Sequence, residues 1–313
     1  MKIIESSVEI IPQESGLEGI YKQCELAGRT AYKSEDRITE GSAKKFVEAL
    51  MKLKHGAVLE HGTIYLRDEL KLNEYNEPFS EWSHLCVYEN NKYSKVSRNK
   101  NYIYVTTNLR VLMENDWMDD LQYLCEPTEY HEKRATVKFI CSRSIAQEIT
   151  RHRVFSFLME SQRYVAYNKD KFGGEITYIV PEWVKNRTFY VASCIDSLTN
   201  TSNSYILDEP TLIDTIRIHM LALDRATCCW WESLKKAEED YMYLLTDECG
   251  LKAEEARSVL PNDCKTELIM TGFVSDWNHF FDLRSKGTTG KPHPDIKVLA
   301  DYLLLQFTES KLI

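Results

Sequence analysis

Midway along the chain the hydrophobic pattern changes from strand-like alternation to helical spacing, with no linker between. Residues 134–143, RATVKFICSR, alternate apolar and polar side chains as a half-buried strand does. SIAQEITRHR follows at once, and Ser144 with Gln147 three residues later gives the capping-box pattern that opens a helix to about residue 153. A strand feeding directly into a helix needs a sheet with helices packed on it, which points to an α/β (α+β) architecture.

The rest of the chain extends that pattern. Residues 42–54 predict an amphipathic helix with Ser42 as N-cap and Phe46, Leu50 and Leu53 on one face. Strands are expected at 64–66 and 102–107, with a short helix near 109–124. Pro181 and the polar 196–210 stretch mark a loop. From 212 to 247, Trp230, Leu234, Ala237, Tyr241 and Leu244 recur at helical spacing and Gly250 closes the segment, a stripe read as packing and not chemistry. KAEEARSVL gives a short helix stopped by Pro261, and further helices are expected over 265–283 and 294–307. No repeat or linker divides the chain, so 1–313 is expected to be one domain with a surface insertion at about 67–133.

Composition removes several function classes. The formal net charge is −9, which opposes a general nucleic-acid binder but not a small anionic ligand held by a few arginines. Apolar runs fall far short of the ~18 residues a membrane span needs, and the acids in MKIIESSVEIIPQESG do not suit a signal peptide, so a cytoplasmic protein without membrane contact is expected. Nine scattered cysteines without a CxxC pair read as reduced thiols. There is no GxGxxG or HExxH, and GTTGKP at 287–292 lacks the first glycine of a P-loop. His55 and His61 have no third ligand at suitable spacing, so no metal is expected, and His61 reads as a hydrogen-bonded structural histidine.

The informative stretch is RHRVFSFLMESQRY at 151–164. Cations at a helix C-terminus can simply complement its dipole. Here the triplet is flanked by Ile149 and Val154–Phe155, Glu148 lies one turn upstream, and arginines recur at 163, 257 and 284 in apolar settings. Guanidinium groups taken out of water need planar anionic partners, and a phosphate-bearing ligand supplies one. Ser161 has no base-and-orienter set around it, so it reads as a ligand-positioning hydroxyl and not a nucleophile.

The spacing RHR-x7-S resembles the signature of flavin-dependent thymidylate synthases. The resemblance continues through SQRY and YNKDKFGGEITYIVP and includes LEH at 59–61, EARSVLPNDCKTE at 255–267 and DWNHFFDLR at 276–284. It implies methylation of dUMP to dTMP with the methylene of methylenetetrahydrofolate, FAD as hydride carrier and NADPH as reductant. It also implies a homotetramer with sites shared between subunits. The implied dUMP site comprises Glu148, Arg151, Met159, Glu160, Ser161, Gln162, Arg163, Arg257 and Arg284. Arg163 and Arg257 would face the phosphate, and Arg284 the uracil edge as the catalytic cation. The implied FAD contacts are Arg151, His152, Arg153, Met159, Phe273, Ser275 and His279, with His55 and Ala57 from a neighbouring subunit.

The chemistry suits these residue types. Uracil C5 is a poor nucleophile unless N3–H is lost or the charge is stabilised, and a guanidinium at that edge does this. No Pro-Cys-His motif offers the cysteine nucleophile of the other thymidylate synthase class. Leu158 and Met159 depart from the family's polar pair, and Phe273 and Ser275 stand where many members carry Asn and Arg. Those departures are what supports the alternative, a nucleotide-binding protein of the same fold that has lost catalysis.

Overall fold

The computed structural model describes residues 1–70, 83–163, 166–168, 174–187 and 224–313. Residues 212–223 of the expected 212–247 helix and the loop at 196–210 lie outside them. The architecture is mixed α+β with mainly antiparallel sheets, in line with the sequence.

Four strands form the central sheet: β2 (Ser7–Ile11), β6 (Arg134–Ser142), β9 (Lys265–Phe273) and β7 (Ser156–Met159), all antiparallel in the order β2-β6-β9-β7. β6 and β9 pair over nine positions, from Arg134 opposite Phe273 to Ser142 opposite Lys265. A second, three-stranded sheet has the order β3-β5-β4, from β3 (Thr63–Glu69), β4 (Lys95–Arg98) and β5 (Tyr102–Asn108). β1 (Lys2–Ile4) pairs in parallel with β8 (Thr177–Ile179).

Three helices pack on one face of the central sheet: α5 (Arg143–Ile149), α8 (Val274–Phe281) and α9 (Pro294–Glu309). Val137, Phe139 and Cys141 of β6 and Leu268 and Met270 of β9 meet Trp277, Phe280, Phe281, Leu303 and Phe307 there. Phe155 also joins this core, because Gly272 leaves room for it. A Cβ on Gly272 would lie 2.3 Å from the Phe155 ring.

α1 (Gly16–Tyr32), α2 (Ser42–Lys52) and α3 (Gly56–Leu59) form a second core with the three-stranded sheet. Residues 83–118 contribute Leu85, Tyr88, Ile103, Val105, Leu109 and Leu112 to it, so this part of the expected insertion is woven into the core through β3. A third cluster joins Tyr167, Ile176 and Tyr178 to Leu234 and Tyr241 of α6 (Arg225–Leu244), which matches the packing stripe read from the sequence. α7 (Ala253–Ala256) and a short 3-10 turn follow it.

Several expectations need correction. Residues 265–273 are a strand, not the start of a helix, and only Val274–Phe281 is α-helical. KTELIMTGF is buried at nearly every position, so its apolar run shows neither period clearly. Ser142, not Ser144, caps α5 by accepting from the Ile145 N–H, and Ser144 bonds to Ser142 instead. α5 stops at Ile149, before the RHR triplet. Gly41 rather than Ser42 precedes α2, and Leu53 is exposed while Ala43, Val47 and Leu50 are buried. The expected 109–124 helix breaks into α4 (Leu109–Glu114) and a 3-10 turn at Met118–Tyr123. Pro181 opens a helical stretch at 182–187 instead of a loop.

Candidate functional site

Two tight turns after α5 place the RHR triplet. The His152 N–H donates to the Ile149 carbonyl and the Phe155 N–H to the His152 carbonyl. This turns the His152 ring inward, 8% exposed, and leaves Arg151 and Arg153 outside. Val154 is also exposed, so the partial burial expected for the whole triplet holds for its histidine alone.

The His152 ring lies 5.1 Å from Phe280 and 6.4 Å from both Phe155 and His279. Burial, with the positive charge of Arg284 and the neighbouring His279, lowers its pKa to about 4. It is therefore neutral near pH 7 and can accept a hydrogen bond. Arg284 uses that acceptor: its Nε–H donates to His152 Nε2 at 3.1 Å. Arg284 Nη1 donates to Glu148 Oε2 at 3.1 Å, and Nη2 to the Glu148 backbone carbonyl at 3.2 Å. The arginine reaches across because α8 continues into a π-turn at Asp282–Lys286, which ends on Gly287 at φ 69°. One end of the sheet thus gathers Glu148, His152 and Arg284, with exposed Arg151, Arg153 and His279 beside them.

A second group forms beyond β7. The Ser161 N–H donates to the Ala31 carbonyl at 3.0 Å, anchoring the loop to the end of α1. Ser161 Oγ accepts from the Arg163 N–H at 3.3 Å. Arg163 Nε pairs with Glu254 Oε2 at 3.4 Å, and Arg257 Nε–H donates to the Glu254 carbonyl at 3.2 Å. Glu254 thus contacts both arginines, through its carboxylate and its backbone carbonyl, and both have exposed side chains. Sequence reasoning missed Glu254, although its place three residues before Arg257 on a helical turn was the available signal.

Not every expected residue faces open space. Glu160 is 3% exposed and bonded to Lys265 at 3.0 Å. Lys265 also contacts Glu267, which Lys138 and Lys33 bind as well. Burial would raise the Glu267 carboxyl, but these lysines outweigh it and hold its pKa to about 2. Gln162 is buried against Tyr167, and Met159 packs at the edge of the first core.

Phe273 is 8% exposed, with Lys95 of β4 and Arg134 each 5.6 Å from its ring. Ser275 Oγ donates to Glu132. His55 and Ala57 are exposed at the start of α3, and no hydrogen bond or ring contact among the described residues joins them to the RHR group.

His61 fits its sequence reading. It is fully buried, with Nδ1 at 2.8 Å from Thr271 Oγ1, which in turn bonds Thr136 Oγ1. Burial and Arg134 lower its pKa to about 3. Among the described residues there is no His/Cys/Asp/Glu group suited to a metal ion, and no helix long and apolar enough to cross a membrane. The eight cysteines among them are free thiols.

The fold is thus α+β, with arginines and a neutral histidine brought together at one end of its central antiparallel sheet. Residues 127–310 match the thymidylate synthase complementing protein family, and the chain belongs to it. A flavin-dependent thymidylate synthase from Synechocystis sp. is 29% identical over 174 residues, covering 55% of this chain and 66% of that protein. One from Pyrococcus abyssi is 25% identical over 144 residues, 46% of this chain and 43% of the relative. A probable flavin-dependent thymidylate synthase from Paramecium bursaria Chlorella virus 1 is 26% identical over 164 residues, covering 51% and 61%. The chain thus spans between 43% and 66% of these relatives' lengths. Among solved structures, the UMP/dUMP methylase PolB of Streptomyces cacaoi bound with 5-Br dUMP is a weak likeness. Its TM-score is 0.40 at 16% identity, covering 99% of this chain and 93% of that one.

Proposed function

We propose that this protein is a flavin-dependent thymidylate synthase that methylates dUMP to dTMP. The observation that carries the reading is the Arg284 guanidinium, held by His152 and Glu148 beside exposed Arg151 and Arg153. When bound, the flavin supplies a hydride drawn from NADPH, and methylenetetrahydrofolate supplies the one-carbon unit.

The chain's own residues bind and polarise. Arg284 donates N–H bonds to the uracil edge and favours negative charge there as N3–H is weakened. Neutral His152 keeps an acceptor on Arg284 Nε, so the guanidinium stays aimed. Arg163 and Arg257 take the phosphate. Their present partner, Glu254, forms an exposed pair at 3.4 Å that a phosphate dianion with three acceptor oxygens displaces. Ser161 adds a hydroxyl, while Gln162, Glu160 and Met159 set the shape of the loop from behind. Glu148 and Arg151 complete the nucleotide side.

The residues divide on their fit to a flavin dinucleotide. Exposed Arg151, Arg153 and His279 around the His152 ring are a donor set suited to a diphosphate-bearing cofactor. Phe273 and Ser275 do not suit direct contact in this state, since Lys95 and Arg134 cover the ring and Glu132 takes the hydroxyl. His55 and Ala57, exposed at the start of α3, are free to serve as contacts to a neighbouring copy in a homotetramer with shared sites. A cytoplasmic location suits the soluble substrates. We read residues 1–313 as one domain carrying the insertion.

The covered Phe273 favours one second reading, a nucleotide-binding relative that has lost the flavin. Purified protein tests it. Flavin absorbance, or its return when FAD is added to stripped protein, supports the enzyme. Protein that binds dUMP but cannot be reconstituted with FAD supports the second reading.

A further inference from the structure

We propose that Glu148 is a positioning residue for Arg284 and sets the charge that Arg284 presents to the base. The inference rests on the reading above that Arg284 meets the imide edge of the uracil. A guanidinium has five N–H donors. Arg284 commits one from Nε to His152, one from Nη1 to the Glu148 carboxylate and one from Nη2 to the Glu148 carbonyl. One N–H on each terminal nitrogen is then without a partner among the described residues. These N–H groups remain to meet an acceptor oxygen of the pyrimidine edge.

One residue thus holds the arginine twice, through side chain and backbone, while fixing the net charge of the pair near zero. Among the described residues, His152 bonds the arginine directly, the exposed His279 lies 6.4 Å from the His152 ring, and exposed Arg151 and Arg153 flank His152 in the chain. On the arginine's own turn, Asp282 and Lys286 pair with each other at 2.8 Å. Among the described residues, Glu148 is therefore the one carboxylate paired with the Arg284 guanidinium. With the Glu148 carboxylate offsetting the guanidinium, a base at this edge meets directed donors and little net positive charge, so its N3 pKa stays higher than it would beside an unpaired arginine.

Glu148→Gln separates the two roles. The amide oxygen still accepts from Arg284, and the backbone carbonyl is unchanged, but the offsetting charge is gone. The experiment follows the carbonyl carbons of dUMP labelled with 13C at C2 and C4 by NMR, bound to flavin-loaded protein across pH. An added net positive charge stabilises the N3 anion, so Glu148→Gln is expected to lower the N3 pKa of bound dUMP by about one unit. The limb of the kcat–pH profile governed by that proton moves with it. Arg284→Ala is expected to raise the same pKa. If Arg284→Ala raises it but Glu148→Gln leaves both pKa and pH profile unchanged, the role of Glu148 is overturned while Arg284 stands. If Arg284→Ala itself has no effect on the titration, the reading of Arg284 fails, and this inference with it.

Discussion

Arg284 and His152 are 132 positions apart, and no spacing rule relates them. Their meeting depends on β6 and β9 pairing in register and on the π-turn that re-aims the end of α8. Losing one preorganised donor of this kind costs about 2.7–4 kcal/mol of transition-state stabilisation, so Arg284→Ala should lower kcat about 100- to 1000-fold with flavin content kept. Turnover within a few-fold of the parent would remove Arg284 from the chemistry. Arg163 and Arg257 carry a different expectation. A hydrogen bond to a charged group contributes about 1.5–3 kcal/mol, so either Ala variant should weaken dUMP binding at least about tenfold and deoxyuridine binding far less. Calorimetric titration of both ligands distinguishes this from a structural role, which would weaken both equally.

The buried histidines set a pH dependence at the same scale. His152 and His61 titrate at about 4 and about 3 in the folded protein, below their ordinary value of 6.5. Between the folded and unfolded values the unfolded chain binds more protons, so stability falls as pH drops from about 6.5 toward 4. Glu267, depressed from 4.5 to about 2, extends the loss to lower pH as its carboxylate is protonated. Denaturant midpoints should therefore fall between pH 7 and pH 4.5, and equal midpoints would contradict the burial of these rings. From sequence, His61 could be read as a hydrogen-bonded structural group. That only the middle residue of the RHR triplet is buried could not, because two turns and not helical periodicity orient it.

Among the elements, β6 was legible and β9 was not. β6 alternates between the helix-covered core and a polar face that carries Thr136 and Lys138, so its period survives in the sequence. β9 lies between β6 and β7 with both faces covered, which erases the alternation. Gly272 within it has a packing role, since the Phe155 ring occupies the space of its missing side chain. Gly272→Ala overpacks this contact and should destabilise the fold by about 1–3 kcal/mol, with the loss recovered when Phe155 is shortened to Leu. A thermal midpoint unchanged by Gly272→Ala would show that the contact is slack. α5 was found two residues late because Ser144 and Ser142 both suit a cap, and only the backbone direction at the end of β6 selects Ser142.

At the scale of the whole molecule, part of the segment read as an insertion supplies two strands and much of the second core, and its Lys95 reaches the Phe273 ring. Sequence showed the extra length but not this partner, which depends on how the two sheets meet. His55 and Ala57 are exposed and share no hydrogen bond or ring contact with the RHR group among the described residues. If copies complete one another's sites, inactive Arg151→Ala and His55→Ala chains should regain activity when mixed, because a hybrid holds some sites with neither change. Subunit exchange proven by mass spectrometry without any regained activity would indicate self-contained sites.

Turnover tests most directly whether this protein methylates dUMP. Flavin-loaded protein is incubated with NADPH, methylenetetrahydrofolate and dUMP tritiated at C5, and both tritium release and dTMP are measured. The account predicts dTMP in step with tritium release, and loss of both in Arg284→Ala. A parent protein that binds FAD and dUMP yet forms no dTMP would contradict it.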